Sequence, residues 1–457
     1  MNANDGQGVG MDEQSDATPR TNPVIDRRNL LRGGAALAAG AAAGGWLMRR
    51  EAAAAGAGAP TVLPAYRAPF PQEQVLHLAA TDGWVSMPRN APPVGSFWPD
   101  PMAPSGYNVY AFGFRDVTSL HKTDLTAAVL AEKEHAQISA PILGFDQYVK
   151  RSDGTDNAVR ITLSNLGLAV RPDLVDGHTI HWHGFTNAIP LFDGVPELSI
   201  SVPIGRSFTY YYRPHDPGTY MYHCHFEDVE HVQMGMTGVV YVRPTRNTSS
   251  QKYAYDHAST AYTREFAFML TELWAEGHYR DAHIQTTDWT DYRPSFWLMN
   301  GRAYPDTLKP STDPLAAGAD PVSDSGESLR YNPISSLVRC NAGDKVLLRI
   351  ANLGYQHHAM TLDGIPMTVV AKDASPLVDS TVDLTYQTNT VEVGPGESRD
   401  VIFTAPANTG SAPVVYRLYD RNYAYLNNGG GSGYGGQMTE VRVYPAGTLG
   451  PQARANA

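Results

Sequence analysis

The sequence predicts an all-β protein made of two sandwich domains. Its 457 residues are room for two domains rather than one. Glycine (42) and proline (33) interrupt short apolar runs along the whole chain, the punctuation of β-sandwiches. Tyrosine is abundant, with 25 copies, and suits pleated sheet. Stretches such as Val159-Arg160-Ile161-Thr162-Leu163-Ser164 alternate apolar and polar side chains, as a half-buried strand does.

Taken in order, residues 1–59 read as an export leader. Asp26-Arg27-Arg28-Asn29-Leu30-Leu31-Arg32 precedes a Gly/Ala run from Gly33 to Met48, the pattern of a twin-arginine (Tat) signal, and the small residues of Ala52–Ala59 offer a cleavage zone. That run is too short and too poor in Leu, Ile and Val for a membrane span, so the expected destination is periplasmic, cell-surface or extracellular. Residues 60–105 are Pro-rich and predict an irregular strap. The first domain is expected over 106–245, with strands at Val159–Ser164, Phe208–Tyr212 and Val239–Val242. A polar linker, 246–262, leads to the second domain over 263–447, which starts with the apolar run at Phe266 and has its opening turn at Asn300-Gly301-Arg302. The Gly-rich stretch Asn428 to Gly436 predicts a plain flexible loop. A net charge of −11, with no basic run outside the leader, argues against a nucleic-acid partner.

The chemistry is concentrated in two segments, His178-Thr-Ile-His181-Trp-His183-Gly184 and His223-Cys224-His225, the second continuing to His231 and Met236. Side chains alternate faces along a strand. His223 and His225 therefore share a face and Cys224 takes the other; His181 and His183 share a face opposite Trp182; His178, an odd number of residues from His181, turns away from that pair. One group is then His178, Cys224, His231 and Met236, two imidazoles, a thiol and a thioether, the donor set of a blue copper site with a weak axial Met. The other is His181, His183, His223 and His225, imidazoles alone. Zinc also takes His and Cys, but a structural zinc site seldom recruits Met or so many imidazoles beside one thiol. Cys340, in the run Leu337-Val338-Arg339-Cys340, reads as a buried packing residue.

The motifs HTIHWHG, FDGVPE (192–197), PGTYMYHCHFEDVEHVQMGM (217–236) and the following TGVVYV resemble the multicopper oxidases, and more broadly the two-domain cupredoxin proteins that include copper nitrite reductases. The resemblance implies two cupredoxin-like Greek-key sandwiches with copper as cofactor. It implies type 1 copper on His178, Cys224, His231 and Met236, and type 2 and type 3 copper on His181, His183, His223 and His225. Asp193 and Glu227 fall where family members carry proton donors for oxygen reduction. The implied activity is laccase-like: a small reductant (a phenol, an aromatic amine or a low-valent metal ion) gives electrons near His231, and oxygen accepts them at the imidazole face. It also implies a homo-oligomer, such as the homotrimer common among two-domain relatives.

The second half echoes the first without its ligands. Ser164-Asn165-Leu166-Gly167 corresponds to Ala351-Asn352-Leu353-Gly354. His358 then falls on His178, Thr361 on His181 and Asp363 on His183, and Tyr416-Arg417-Leu418-Tyr419 takes the place of the HCH segment. The second domain is thus expected to lack a copper site of its own, offering only His357 and His358 as donors. The resemblance implies eight imidazoles for a laccase-type trinuclear centre, and the chain offers four from the first domain with His357 and His358 as the obvious donors of the second. Either a neighbouring subunit or the scattered His121, His135, His257, His278 and His283 completes it, or a smaller type 2 site forms as in nitrite reductases, or type 1 copper stands alone in an electron carrier.

Overall fold

The computed structural model describes residues 61–62, 74–89, 97–427 and 433–457. The expected leader at 1–59 and most of the Gly-rich stretch lie outside them. The described residues are almost all strand and loop, and they form two cupredoxin-like sandwiches. No helix among them is long and apolar enough to cross a membrane.

The first sandwich contains β1 (Thr61–Val62), β2 (Gln74–Ser86), β3 (Asn108–Asp116), β4 (Ile142–Asp146), β5 (Val159–Asn165), β6 (His181–His183), β7 (Ser207–Tyr212), β8 (Gly218–His223) and β9 (Thr237–Arg243). One sheet runs β3-β2-β5-β7 and the other β1-β4-β9-β8-β6. Between them lies a core rich in aromatic rings, including Phe112, Phe114, Trp182, Tyr210, Tyr212 and Tyr222, which also encloses Cys224 and Met236.

Residues 60–105 differ from the expected irregular strap. Prolines crowd the region after Ser86, but Gln74–Ser86 contains none and forms β2, a thirteen-residue strand paired in parallel with β5 and antiparallel with β3. It was hidden because nearly all of it is buried, so the sequence shows no alternation to mark it.

After a short hairpin of β10 (Lys252–Tyr253) and β11 (Ala261–Tyr262) within the expected linker, the second sandwich begins with β12 (Arg264–Leu273) and β13 (Phe296–Met299). It continues with β14 (Val338–Asn341), β15 (Lys345–Asn352), β16 (His358–Leu362), β17 (Met367–Lys372), β18 (Ser375–Pro376), β19 (Tyr386–Thr388), β20 (Thr390–Val393), β21 (Ser398–Thr404), β22 (Val414–Asp420) and β23 (Met438–Tyr444). Asn300 and Gly301 do form a left-handed turn (φ +54° and +75°), but it follows β13 and so lies inside the sandwich rather than at its opening.

The two sandwiches share a strand plan. The order β13-β12-β15-β21 repeats β3-β2-β5-β7, and β14-β23-β22-β16 repeats β4-β9-β8-β6. The parallel pairs β2/β5 and β4/β9 recur as β12/β15 and β14/β23.

Ile142, Met221, Val239 and Tyr241 of the first sandwich pack on Ala267, Met269, Ala351 and Leu353 of the second. Beside this apolar seam lies a buried charge network. The Arg349 guanidinium is fully buried, 3.2 Å from Glu265 and 3.6 Å from Asp400, and lies over the Tyr241 ring at 4.4 Å. It donates to Thr219 Oγ1 at 2.9 Å, and Thr219 in turn donates to Asp400 at 2.6 Å. Thr219 and Tyr241 belong to the first sandwich, and the ions belong to the second.

Removing one partner of such a network strands the others in a low-dielectric interior. Arg349→Met is expected to lower the unfolding free energy by about 3–5 kcal/mol, read from chemical denaturation.

Candidate metal centres

The end of β8 sorts the two groups of donors. His181 of β6 sits directly opposite His223 of β8, Trp182 opposite Tyr222 and His183 opposite Met221. Trp182 turns into the aromatic core, while the His181 ring lies 5.3 Å from His223 and 5.1 Å from His225. The His183 ring is 5.8 Å from His223, and His223 stacks on His225 at 5.6 Å. Four imidazoles thus share one face. Ring nitrogens of His181, His183 and His223 come within 4.8 Å of one another.

Two of these rings are held by a backbone carbonyl. His181 Nδ1 lies 2.7 Å from Asp193 O, and His223 Nδ1 lies 2.9 Å from Cys224 O. Such an anchor at one nitrogen fixes the ring and leaves the other for a metal. Burial pushes the pKa of His181 and His183 down, and that of His223 to about 3, which favours the neutral, ligating form.

On the opposite side, Cys224 is fully buried. Its sulfur lies 3.2 Å from His231 Nδ1 and 3.8 Å from His178 Nδ1, and it accepts from Thr179 N at 3.4 Å. The three donor atoms form one buried cluster. The outer nitrogens, His178 Nε2 and His231 Nε2, are buried without a hydrogen-bond partner. Burial, then the neighbouring His231, drives the pKa of His178 well below its usual value. Burial also pulls His231 down, but the Cys224 sulfur and Asp176 beside it outweigh this and lift it to about 10. Met236 is buried in the same core; Cys224 N donates to its carbonyl at 3.2 Å, and its own N donates to His231 O at 3.0 Å. One sulfur and two imidazole nitrogens converging in a fully buried cluster fit a soft or borderline metal, copper above all.

His231 rides on α1 (Asp228–Met234). Gly235 ends this helix at φ +120°, and a Cβ there would stand 2.8 Å from Phe112 O, so only glycine lets the chain turn toward Met236 at that approach.

The two expected acids part company. Asp193 lies at the imidazole face, with its carboxylate 3.5 Å from His181 Nδ1. Glu227 does not join it. It begins α1 in a left-handed conformation (φ +47°), which swings its carboxylate to the Cys224 side, within 4.8 Å of His231 and Asp176. Asp176, which sequence reading passed over, has an oxygen 3.7 Å from His231 Nε2.

None of the scattered histidines joins the four. Both nitrogens of His278 face carbonyls, of Tyr110 and Gln233. His283 pairs with Asp100 at 2.8 Å, and His135 stacks on Tyr331. His121 and His257 accept from nearby turn residues. His357 is exposed and packs against Gly394, and it enters no cluster of metal-ligand type among the described residues. The second sandwich brings backbone to the imidazole face. Gly396, at φ +77°, comes so close that a Cβ would sit 3.0 Å from His183 Nε2.

His358 has a different part. The registers β6/β8 and β16/β22 superimpose when Thr361 stands for His181, which puts Tyr419 on His223 and Asp420 on Cys224. The pairs β8/β9 and β22/β23 then put Gln437 on Met236. Asp420 N donates to Gln437 O at 3.0 Å, repeating the bond from Cys224 N to Met236 O. In place of a copper pocket there is a hydrogen-bonded ion group: His358 Nδ1 donates to Asp420 at 2.8 Å and Nε2 to Glu272 at 2.5 Å, all of it buried. Cys340 is buried as expected, and burial raises its thiol to about 12.

The chain belongs to the multicopper oxidase family: residues 160–247 and 264–438 match two multicopper oxidase models, together more than half of its length. It is similar to a Laccase-3 of Botryotinia fuckeliana, 27% identical over 60% of this chain and 51% of the relative. It is also similar to a Laccase-7 of Oryza sativa subsp. japonica, 26% identical over 56% of this chain and 41% of the relative. The chain thus spans about half the length of these relatives or less. In fold it is similar to a blue copper oxidase from Nitrosomonas europaea, with TM-score 0.55, 21% identity and coverage of 81% of this chain and 86% of that one. A copper nitrite reductase from the same organism gives TM-score 0.51, 15% identity and coverage of 83% and 96%.

Burial pulls the His358 pKa down, but its hydrogen bonds to Asp420 and Glu272 outweigh that and raise it to about 9. A raised folded-state pKa contributes stability that is complete below the unfolded value of about 6.5 and is lost as pH rises through about 9. Melting curves between pH 6 and pH 10 are expected to show this loss, and His358→Gln to remove that step while lowering stability throughout.

Proposed function

We propose that the protein is an exported, laccase-type copper oxidase that takes electrons from small reductants and passes them to oxygen. The observation that carries this reading is the alternation at His223-Cys224-His225, by which one short segment faces a sulfur-containing donor set on one side and four imidazoles on the other. Copper held there would supply one-electron redox chemistry and, at the imidazoles, oxygen reduction.

The residues divide the remaining work. His178, Cys224 and His231 would hold type 1 copper, with Met236 as the thioether donor, and the surrounding aromatic core keeps water from the sulfur. His181, His183, His223 and His225 would hold the type 2 and type 3 copper. Two covalent paths, from Cys224 to each neighbouring histidine, join the groups. Asp193, beside His181 and partly exposed, passes protons inward from solvent. We assign Glu227, with Asp176, to the side where His231 meets the reductant rather than to oxygen chemistry. Phenols, aromatic amines and low-valent metal ions are the reductants this reading admits.

The relatives named laccase support the acceptor, and Arg27-Arg28 ahead of an apolar run supports Tat export. Four imidazoles clustered among the described residues, in place of eight, support a homo-oligomer such as a trimer, in which a neighbouring copy faces them.

Copper-loaded protein is expected to be blue, to hold more than one copper per chain and to consume oxygen when given a phenol. Cys224→Ser should abolish both the colour and the oxygen uptake; retained blue absorption would refute the ligand set. His183→Ala should keep the colour and lose oxygen uptake. One copper per chain with no oxygen uptake in the parent protein would instead indicate an electron carrier, and nitrite turnover a reductase.

A further inference from the structure

We propose that Glu272, held by His358, which Asp420 holds in turn, is a positioning residue for the Cys224 site: the ion group standing at the corresponding place of the second sandwich sets the place of the helix that carries His231. The inference rests on the ligand assignment above.

Glu272 occupies in β12 the position that Asp82 occupies in β2, because Leu270 pairs with Asn352 as Ala80 pairs with Asn165. Asp82 serves local backbone, accepting from Ala169 N and Val170 N, together with Tyr110 OH. Glu272 does the like for Tyr355 N (2.7 Å) and Tyr292 OH (3.0 Å), and its extra methylene also reaches His358. Three directed bonds, with His358 pinned from behind by Asp420, leave this carboxylate little freedom.

Two tethers run from it to α1. Gln233 Nε2 donates to the backbone oxygen of Glu272 at 2.8 Å. Tyr355, whose N–H the carboxylate holds, donates through its hydroxyl to Val229 O. Val229 and Gln233 flank His231 two residues away on either side, so the tethers grip the helix above and below the ligand. Met236 follows, with its N–H on His231 O. A shift of α1 therefore moves an imidazole ligand and the segment bearing the thioether together. Axial ligation and hydrogen bonding around the sulfur are the levers that set a type 1 potential.

The test compares Tyr355→Phe, Gln233→Met and Glu272→Gln with the parent chain. In metal-free protein, amide hydrogen exchange over 229–236 should quicken roughly fivefold for each tether lost, while exchange in β21 stays as it was. In copper-loaded protein, the blue band and the reduction potential should move in all three variants, most in Glu272→Gln. If Glu272→Gln does not fold, the two single-tether variants decide. Unchanged exchange over 229–236, or an unmoved band and potential in both tether variants, overturns the proposal. A parent protein that never turns blue would remove the copper assignment instead, a separate result.

Discussion

The alternation of side chains along an extended chain governs this molecule. Because successive residues must face opposite ways, placing His223 and His225 on one face commits Cys224 to the other, and the pairing of β8 with β6 repeats the commitment for His181, Trp182 and His183. A one-residue slip would exchange the two sets of donors. The register is secured by what lies behind it. Trp182 stacks on Phe145 and Tyr212, and Tyr222 donates to Pro141 O at 2.6 Å, so the strands cannot slide without tearing an aromatic core.

Much of this could be read from the sequence because period-two alternation and dense metal-type donors are local signals. The separation of the histidines into two faces needed only parity. Local signals failed where geometry comes from a turn or from distant pairing. Glu227 sits two residues past His225, and its left-handed backbone sends it to the opposite side from the one its position suggested. β2 escaped notice because burial on both faces erases alternation. Asp176 lies only two residues before His178, but nothing in the chain shows that it will meet His231, fifty-five positions away from it.

The duplicated architecture shows how a single scaffold position can be filled by different physics. In the first sandwich the pocket holds a sulfur and two imidazoles with buried outer nitrogens left without a hydrogen bond. In the second, a carboxylate and an amide replace the sulfur atoms, and every polar atom of the remaining imidazole is satisfied by hydrogen bonds. A lone Glu at the end of the apolar run Phe266-Ala-Phe-Met-Leu-Thr was the available hint, since a charge is seldom buried without a partner.

The seam around Arg349 bears on how the family's two-module plan is maintained. Thr219 and Tyr241 lie on β8 and β9, the strands that lead to Cys224 and away from Met236, and their outer surfaces are shaped for the neighbouring sandwich. A chain cut short after residue 244 would keep all eight candidate donors yet bare Met221, Val239 and Tyr241 to water. Truncation is thus a closed route from this sequence to a small free-standing domain, because the second sandwich covers the apolar outer surface of the first.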